Sequence, residues 1–238
     1  MQNNMQRLDK FLTECGVGTR SEVKKIIRSG AVTVNGNIEK GADFKVNSDI
    51  DLVMYQGKKL GYEEFLYYLF HKPAGCVTAN DDIRHKTVME YLPEEVRRKC
   101  AAVGRLDKDT EGLLLFTNDG ALSHRLRSPS HHVSKTYYAR LDAPVPVEAI
   151  EQFKQGISIG DDKPTLPAEL EILNEEKYSA KLTITEGRYH QVKRMFYAVG
   201  CNVIYLKRLT MGPLELGDLP IGEYRKLSQE EIELLKES

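Results

Sequence analysis

Leu8, Phe11 and Leu12 recur at i, i+3 and i+4 and predict one face of a short helix, broken by Gly16 and Gly18. Thr19 precedes Glu22 by three positions, the spacing of a capping box that opens a second helix. Val23, Ile26 and Ile27 are its apolar face and Gly30 its stop. Val32 and Val34 then alternate with polar residues ahead of Asn35-Gly36, a hairpin turn signal. Helix, helix and hairpin make a unit too small to bury much core alone.

Beyond it the pattern changes. Gly57 and Gly61 interrupt a strand-like run, placing a boundary near residue 60 and two domains at 1–60 and 61–238. The run LYYLFHKPAG (66–75) reads as a buried strand ending at Pro73 and Gly75. Short apolar strands follow at GLLLFT (112–117) and KLTITE (181–186). Helices are predicted at ALSHRLRS (121–128), VEAIEQFKQG (147–156) and HQVKRMFYAVG (190–200). Strands so irregularly spaced fit an α+β fold with a mixed, mainly antiparallel sheet and flanking helices, not a doubly wound parallel one.

Composition adds little until it is resolved along the chain. The 238 residues are 41% hydrophobic, with 34 basic against 35 acidic side chains. No run is long and apolar enough for a membrane span, and the start MQNNMQRLDKFL lacks a signal core, so the expected setting is the cytoplasm, without membrane contact. Cys15, Cys76, Cys100 and Cys201 are scattered, without metal-ligand or disulfide spacing, and read as small buried hydrophobes. Residues 1–46, however, hold eight Lys/Arg against five acids. Arg20, Lys24 and Arg28 fall at i, i+4 and i+8 on one side of the second helix, either as a solvated face or as a contact for RNA phosphates. Residues 123–141 carry four Lys/Arg and three His, and 188–208 five Lys/Arg, with no acid in either run. The acidic tail, 215–238, hides these clusters in the total.

The candidate chemistry lies at GRLDKDTEGLLLFTNDG (104–120). Asp107 precedes a polar turn beside a buried strand, which holds it rigidly against the core. From spacing alone it is a nucleophile, a turn residue or half of an ion pair with Arg105. Asn118-Asp119-Gly120 makes a turn and caps the next helix.

Two resemblances narrow these readings. RLDKFL, TRSE and AVTVNG, in that order with the basic helix, resemble the RNA-binding domain named after ribosomal protein S-four. GRLDKDTEGLLLFTNDG resembles the signature of the ribosomal small-subunit pseudouridine synthase A (RsuA) family and its relatives acting on large-subunit rRNA. FHKPAG (70–75), SKTYYA (134–139) and EGRYHQVKRMF (186–196) resemble that family's flanking motifs, and together the likeness covers nearly the whole chain.

The resemblance implies the pseudouridine synthase fold and isomerisation of a uridine in rRNA, with Asp107 as catalytic nucleophile or base. It implies Lys193 as the cation beside it, with Arg194 and Arg188 as alternatives and a phosphate contact as the other role for Lys193. Tyr137 stacks on a flipped uracil or moves a proton; Tyr138 points to the opposite strand face, so one of the pair is core. Arg105 contacts RNA or forms a structural ion pair, and Lys135 lies among the expected RNA contacts with Arg188 and Arg194. The reaction has no net redox or hydrolysis, so no cofactor or metal is expected. The Tyr-His before Gln in EGRYHQVKRMF favours small-subunit 16S rRNA, at the family's uridine-516 site, with large-subunit 23S rRNA as the alternative. A noncatalytic ribosome-assembly factor would not need the intact GRLD motif; an aspartate hydrolase of small molecules would leave the basic runs unexplained. A monomer is the simpler expectation.

Overall fold

The structure is a computed structural model that describes residues 5–48, 50–60, 65–173 and 176–237. The chain forms two compact units, Met1–Glu64 and Phe65–Ser238. The boundary expected at residue 60 coincides with the end of a strand, and Gly61 lies outside the described residues.

In the first unit β1 (Met5–Arg7) leads into α1 (Leu8–Glu14), then α2 (Arg20–Arg28), β2 (Val32–Val34), β3 (Asn37–Ile38), β4 (Lys45–Asn47), β5 (Val53–Tyr55) and β6 (Lys58–Leu60). Thr19 and Glu22 form the capping box in both directions: Thr19 Oγ1 accepts from the Glu22 N–H while Glu22 accepts from the Thr19 N–H at 2.8 Å. Leu8, Phe11, Leu12, Val23 and Ile27 meet Val32, Val46 and Val53 in one core. Asn35 (φ 52°) and Gly36 (φ 85°) both take the left-handed conformation that a two-residue hairpin turn demands. Beyond the expected helices and hairpin, β1 pairs with β4, and β5 extends the hairpin into a four-stranded sheet, β3-β2-β5-β6.

The second unit contains β7 (Tyr67–Lys72), α3 (Glu94–Lys99), β8 (Ala101–Ala102), β9 (Glu111–Thr117), α4 (Gly120–Arg127), β10 (Lys135–Leu141), α5 (Ala149–Gln155), β11 (Glu169–Ile172), β12 (Ser179–Ile184), α6 (Gln191–Ala198), β13 (Val203–Met211), β14 (Leu214–Glu215), β15 (Tyr224–Lys226) and α7 (Gln229–Glu237). Its sheet runs β11-β12-β10-β13-β9-β7-β15, with β14 on β13 and β8 on β9. Every described pairing is antiparallel except β13 with β9. The fold is thus α+β with a mixed sheet.

Core placement explains the continuous apolar runs. Phe70, Leu114 and Phe116 enter a core on one side of the sheet, with Phe196 and Leu206. Leu69, Leu113 and Leu115 enter a second core on the other, with Leu122, Leu126 and Leu235. β7 and β9 are buried on both faces, so neither can alternate with polar residues. The parallel seam depends on Gly112. A Cβ there would sit 2.2 Å from the Arg208 carbonyl oxygen, and its φ of +111° is one that side-chain-bearing residues rarely adopt. The fixed glycine of TEGLLL is therefore the point where the two antiparallel halves join.

Candidate active site

Asp107 lies on the loop between β8 and β9. The end of β7 and the segment after it tie this loop down. Lys72, fully buried, donates from Nζ to the Thr110 carbonyl (2.9 Å), the Pro73 carbonyl (3.0 Å) and, more weakly, the Lys108 carbonyl (3.4 Å). The Gly75 N–H donates to the Lys108 carbonyl at 2.7 Å, and Thr78 Oγ1 bridges both backbone groups of Leu106. The Thr110 N–H closes the turn on the Asp107 carbonyl at 3.1 Å. FHKPAG thus positions the aspartate through backbone carbonyls, and Lys72 keeps a cation beneath it. Burial lowers the Lys72 pKa, while Cys76, Asp109, Asp107 and Glu111 pull it back up.

The side chain of Asp107 meets the start of α6. Lys193 Nζ stands 3.2 Å from Asp107 Oδ2 and 2.6 Å from Asp109 Oδ1. Burial opposes the Lys193 charge, but hydrogen bonds to the two carboxylates and their charges outweigh it and raise its pKa. The reverse holds at Asp109, where burial is outweighed by the Lys193 hydrogen bond and charge, lowering its pKa. His190 Nε2 lies 3.5 Å from Asp107 Oδ1. His190 is the N-cap of α6 in a left-handed conformation (φ 49°, ψ 31°) and stacks on the exposed Tyr189, with ring centroids 3.9 Å apart.

Asp107, Tyr189, His190 and Lys193 line an open cleft of about 610 Å³. Its other wall is the sheet. Tyr137 on β10 is buried along its ring, and its hydroxyl has no hydrogen-bond partner among the described residues. Tyr138 turns the other way, packing edge-on against Tyr205. Lys135, Tyr137 and Arg208 also line the cleft. Burial, with the Arg208 charge, pushes the Lys135 amine down to about 8.

Most residues expected from sequence converge here: Asp107, Tyr137, Lys193, Arg105, Lys135 and Arg188 all border the cleft. Arg105 is exposed and forms no ion pair among the described residues, so the Asp107–Arg105 pair is not made. The guanidinium of Arg188 binds protein, donating to the Lys163 and Pro164 carbonyls (2.7 Å each) and to Glu186 (3.0 Å). Arg194 stands apart from the cleft, donating to the Ile159 carbonyl and to Asp161. Arg20, Lys24 and Arg28 are exposed along α2 in the first unit, unpaired with any carboxylate among the described residues. The sequence alone gives Lys72, Asp109, His190 and Arg208 no place beside Asp107 or in the cleft. The first three sit inside quoted motifs; Arg208 is hidden in a basic run.

Residues 66–198 match the family described as RNA pseudouridylate synthase, and residues 6–49 match the S4 domain. The chain belongs to the RNA pseudouridylate synthase family. It is 45% identical to ribosomal small subunit pseudouridine synthase A of Escherichia coli strain K12, over 95% of this chain and 98% of that one. The Haemophilus influenzae protein of the same name is 44% identical over 96% and 99%. An uncharacterized RNA pseudouridine synthase of Bacillus subtilis, YtzG, is 46% identical over 97% and 98%. A solved pseudouridylate synthase structure superposes with a TM-score of 0.69 at 44% identity, covering 97% of this chain and 99% of that one. Within the family the chain is of the RsuA type, with an S4 domain ahead of the synthase domain.

Proposed function

We propose that this protein converts one uridine of small-subunit 16S rRNA, the family's uridine 516, to pseudouridine, with Asp107 as nucleophile or base. The observation that carries the reading is the cleft itself: a loop-borne carboxylate held by Lys193 and His190, facing Tyr137 on the opposite wall. Lys193 places a positive charge 3.2 Å from the carboxylate that would attack or abstract a proton. The free hydroxyl and flat ring of Tyr137 suit a uracil flipped out of folded RNA, and stacking is worth about 1–3 kcal/mol per base. Arg105, at the cleft edge, and Arg20, Lys24 and Arg28 on α2 supply RNA contacts, with Lys135 inside the cleft. Arg188 and Arg194 act through the 159–164 segment they hold, and reach RNA at its surface. The target subunit is read from the names of the RsuA-type relatives and from the Tyr189-His190 pair. The protein works in the cytoplasm as a monomer.

The test is incubation with unmodified 16S and 23S rRNA, followed by chemical mapping of pseudouridine. Modification at one 16S position, lost in Asp107→Asn with RNA binding retained, is the expected result. A fully active Asp107→Asn overturns the mechanism, and modification confined to 23S rRNA overturns the substrate.

A further inference from the structure

Arg208 is 3% exposed, deep in the wall of the cleft. Nε donates to the Leu113 carbonyl at 2.8 Å, and the buried Nη2 has no hydrogen-bond partner among the described residues. No carboxylate forms an ion pair with it among the described residues. A buried cation in that state is costly, because one hydrogen bond to a neutral carbonyl replaces the water it has given up.

The sheet register places a second cation beside it. Arg208 on β13 stands opposite Tyr137 on β10, and directly opposed residues project from the same face. Lys135 is two residues from Tyr137 along the strand and shares that face. Burial and then the Arg208 charge lower the Lys135 pKa. Among the described residues Lys135 donates only to the Val133 carbonyl, at 2.7 Å. Two cations thus flank the aromatic ring on the sheet wall, while Asp107 across the cleft is engaged by Lys193 and His190.

We infer that Lys135 and Arg208 bind the oxygens of the target uracil and stabilise the negative charge that the ring acquires during isomerisation. The inference rests on the proposed function and deepens it. When Asp107 attacks C1′ the C1′–N1 bond breaks, and its electron pair leaves with the base and spreads over N1, O2 and O4. If Asp107 instead adds to the ring, the charge again collects on a ring oxygen. The turned ring then bonds to C1′ through carbon 5, Asp107 is released as the carboxylate, the carbon 5 proton is lost, N1 takes up a proton, and the charge leaves the ring. Donors fixed in advance where charge develops are an efficient form of transition-state stabilisation. The depth of Arg208 favours the base over a phosphate: a flipped base reaches the sheet wall, whereas the backbone crosses the mouth of the cleft.

The experiment compares Lys135→Met, Lys135→Arg and wild type in single turnover on unmodified 16S rRNA, alongside affinity measured over a range of salt. Lys135→Met is expected to lower the rate at saturating RNA by about 10²-fold, with Kd within about twofold and its salt slope unchanged. Lys135→Arg, which keeps the charge, is expected to recover most of the rate. A phosphate contact would do the opposite, weakening binding and flattening the salt slope by about 0.7–0.9 while sparing the rate, and would overturn the inference. An unchanged rate in Lys135→Met overturns it too. Arg208→Lys, checked for folding by circular dichroism, repeats the test at the buried position. If wild type makes no pseudouridine, the proposed function fails; if wild type is active and Lys135→Met keeps its rate, only the charge pair fails.

Discussion

Lys193 stands nearer to Asp109, at 2.6 Å, than to Asp107, at 3.2 Å. The cation that supports the candidate nucleophile is therefore shared, and Asp109 competes for it. Asp109→Asn should free Lys193 for Asp107 and leave the single-turnover rate close to wild type, while Lys193→Met should lower it by about 10². Stability supplies the pH test. The pKa of Asp109 is depressed below the ordinary 3.8, so its contribution is present above that value and lost as pH falls through the lowered one. The Lys193 pKa is raised above 10.5, so its contribution is lost only as pH rises through the raised value. Denaturant titrations of wild type and Asp109→Asn should differ by less than about 1 kcal/mol at neutral pH, since Asp109 is largely exposed, and converge in acid.

Lys135 should cost the protein stability. Its folded pKa of about 8 lies below the ordinary 10.5, so near neutral pH the folded state carries a charge it would rather lose. Between about pH 8 and 10.5 the unfolded chain binds more protons at this site, and stability from it rises with pH. Lys135→Met is expected to melt higher than wild type at pH 7, with the gain shrinking above pH 8 and levelling off above 10.5. A lower melting temperature at pH 7 would contradict this assignment.

Gly112→Ala should be among the most damaging small substitutions. Its Cβ meets backbone of Arg208 on both the nitrogen and oxygen sides, at 2.5 and 2.2 Å, and backbone cannot swing away as a side chain can. A loss of about 3 kcal/mol or more is expected in denaturant unfolding, with near-complete loss of pseudouridine formation because Arg208 moves with the strand.

The α2 stripe acts on affinity alone. Replacing Arg20, Lys24 and Arg28 together by Ala should weaken RNA binding and reduce the magnitude of the log K against log salt slope by about 2–3, with the rate at saturating RNA retained. A loss of rate without a change of slope would remove these residues from the RNA interface.

What the sequence disclosed depended on whether local chemistry or distant partners decided the outcome. α1, α2, the capping box and the Asn35-Gly36 turn were legible because each is set by neighbouring residues. Asp107, Tyr137 and Lys193 came from motif resemblance; their physical pattern left each of them open to a structural role. β13 escaped because Lys207 and Arg208 make a partly buried strand look like part of an RNA-facing basic run. α7 reads by charge only as an acidic tail, although Ile232 and Leu235, three apart, pack onto the second core. Arg188 and Arg194 show the limit of counting charges: a guanidinium binds the carbonyls of its own chain as readily as a phosphate. His190 was read as a mark of substrate choice, and only the left-handed turn ahead of α6 brings it to Asp107.

The parallel seam between β9 and β13 also governs how the protein is made. The seam joins Glu111 and Gly112 to Lys207 and Arg208, residues distant in the chain, as does the antiparallel pairing of β7 with β15. Contacts of such long sequence separation carry a large loop-closure cost and slow folding. Asp107 precedes the first of these strands, while Tyr137 and Arg208 belong to the half that the second completes. The catalytic cleft is absent until that junction closes, so on refolding, activity should return after the helix and strand signals have recovered.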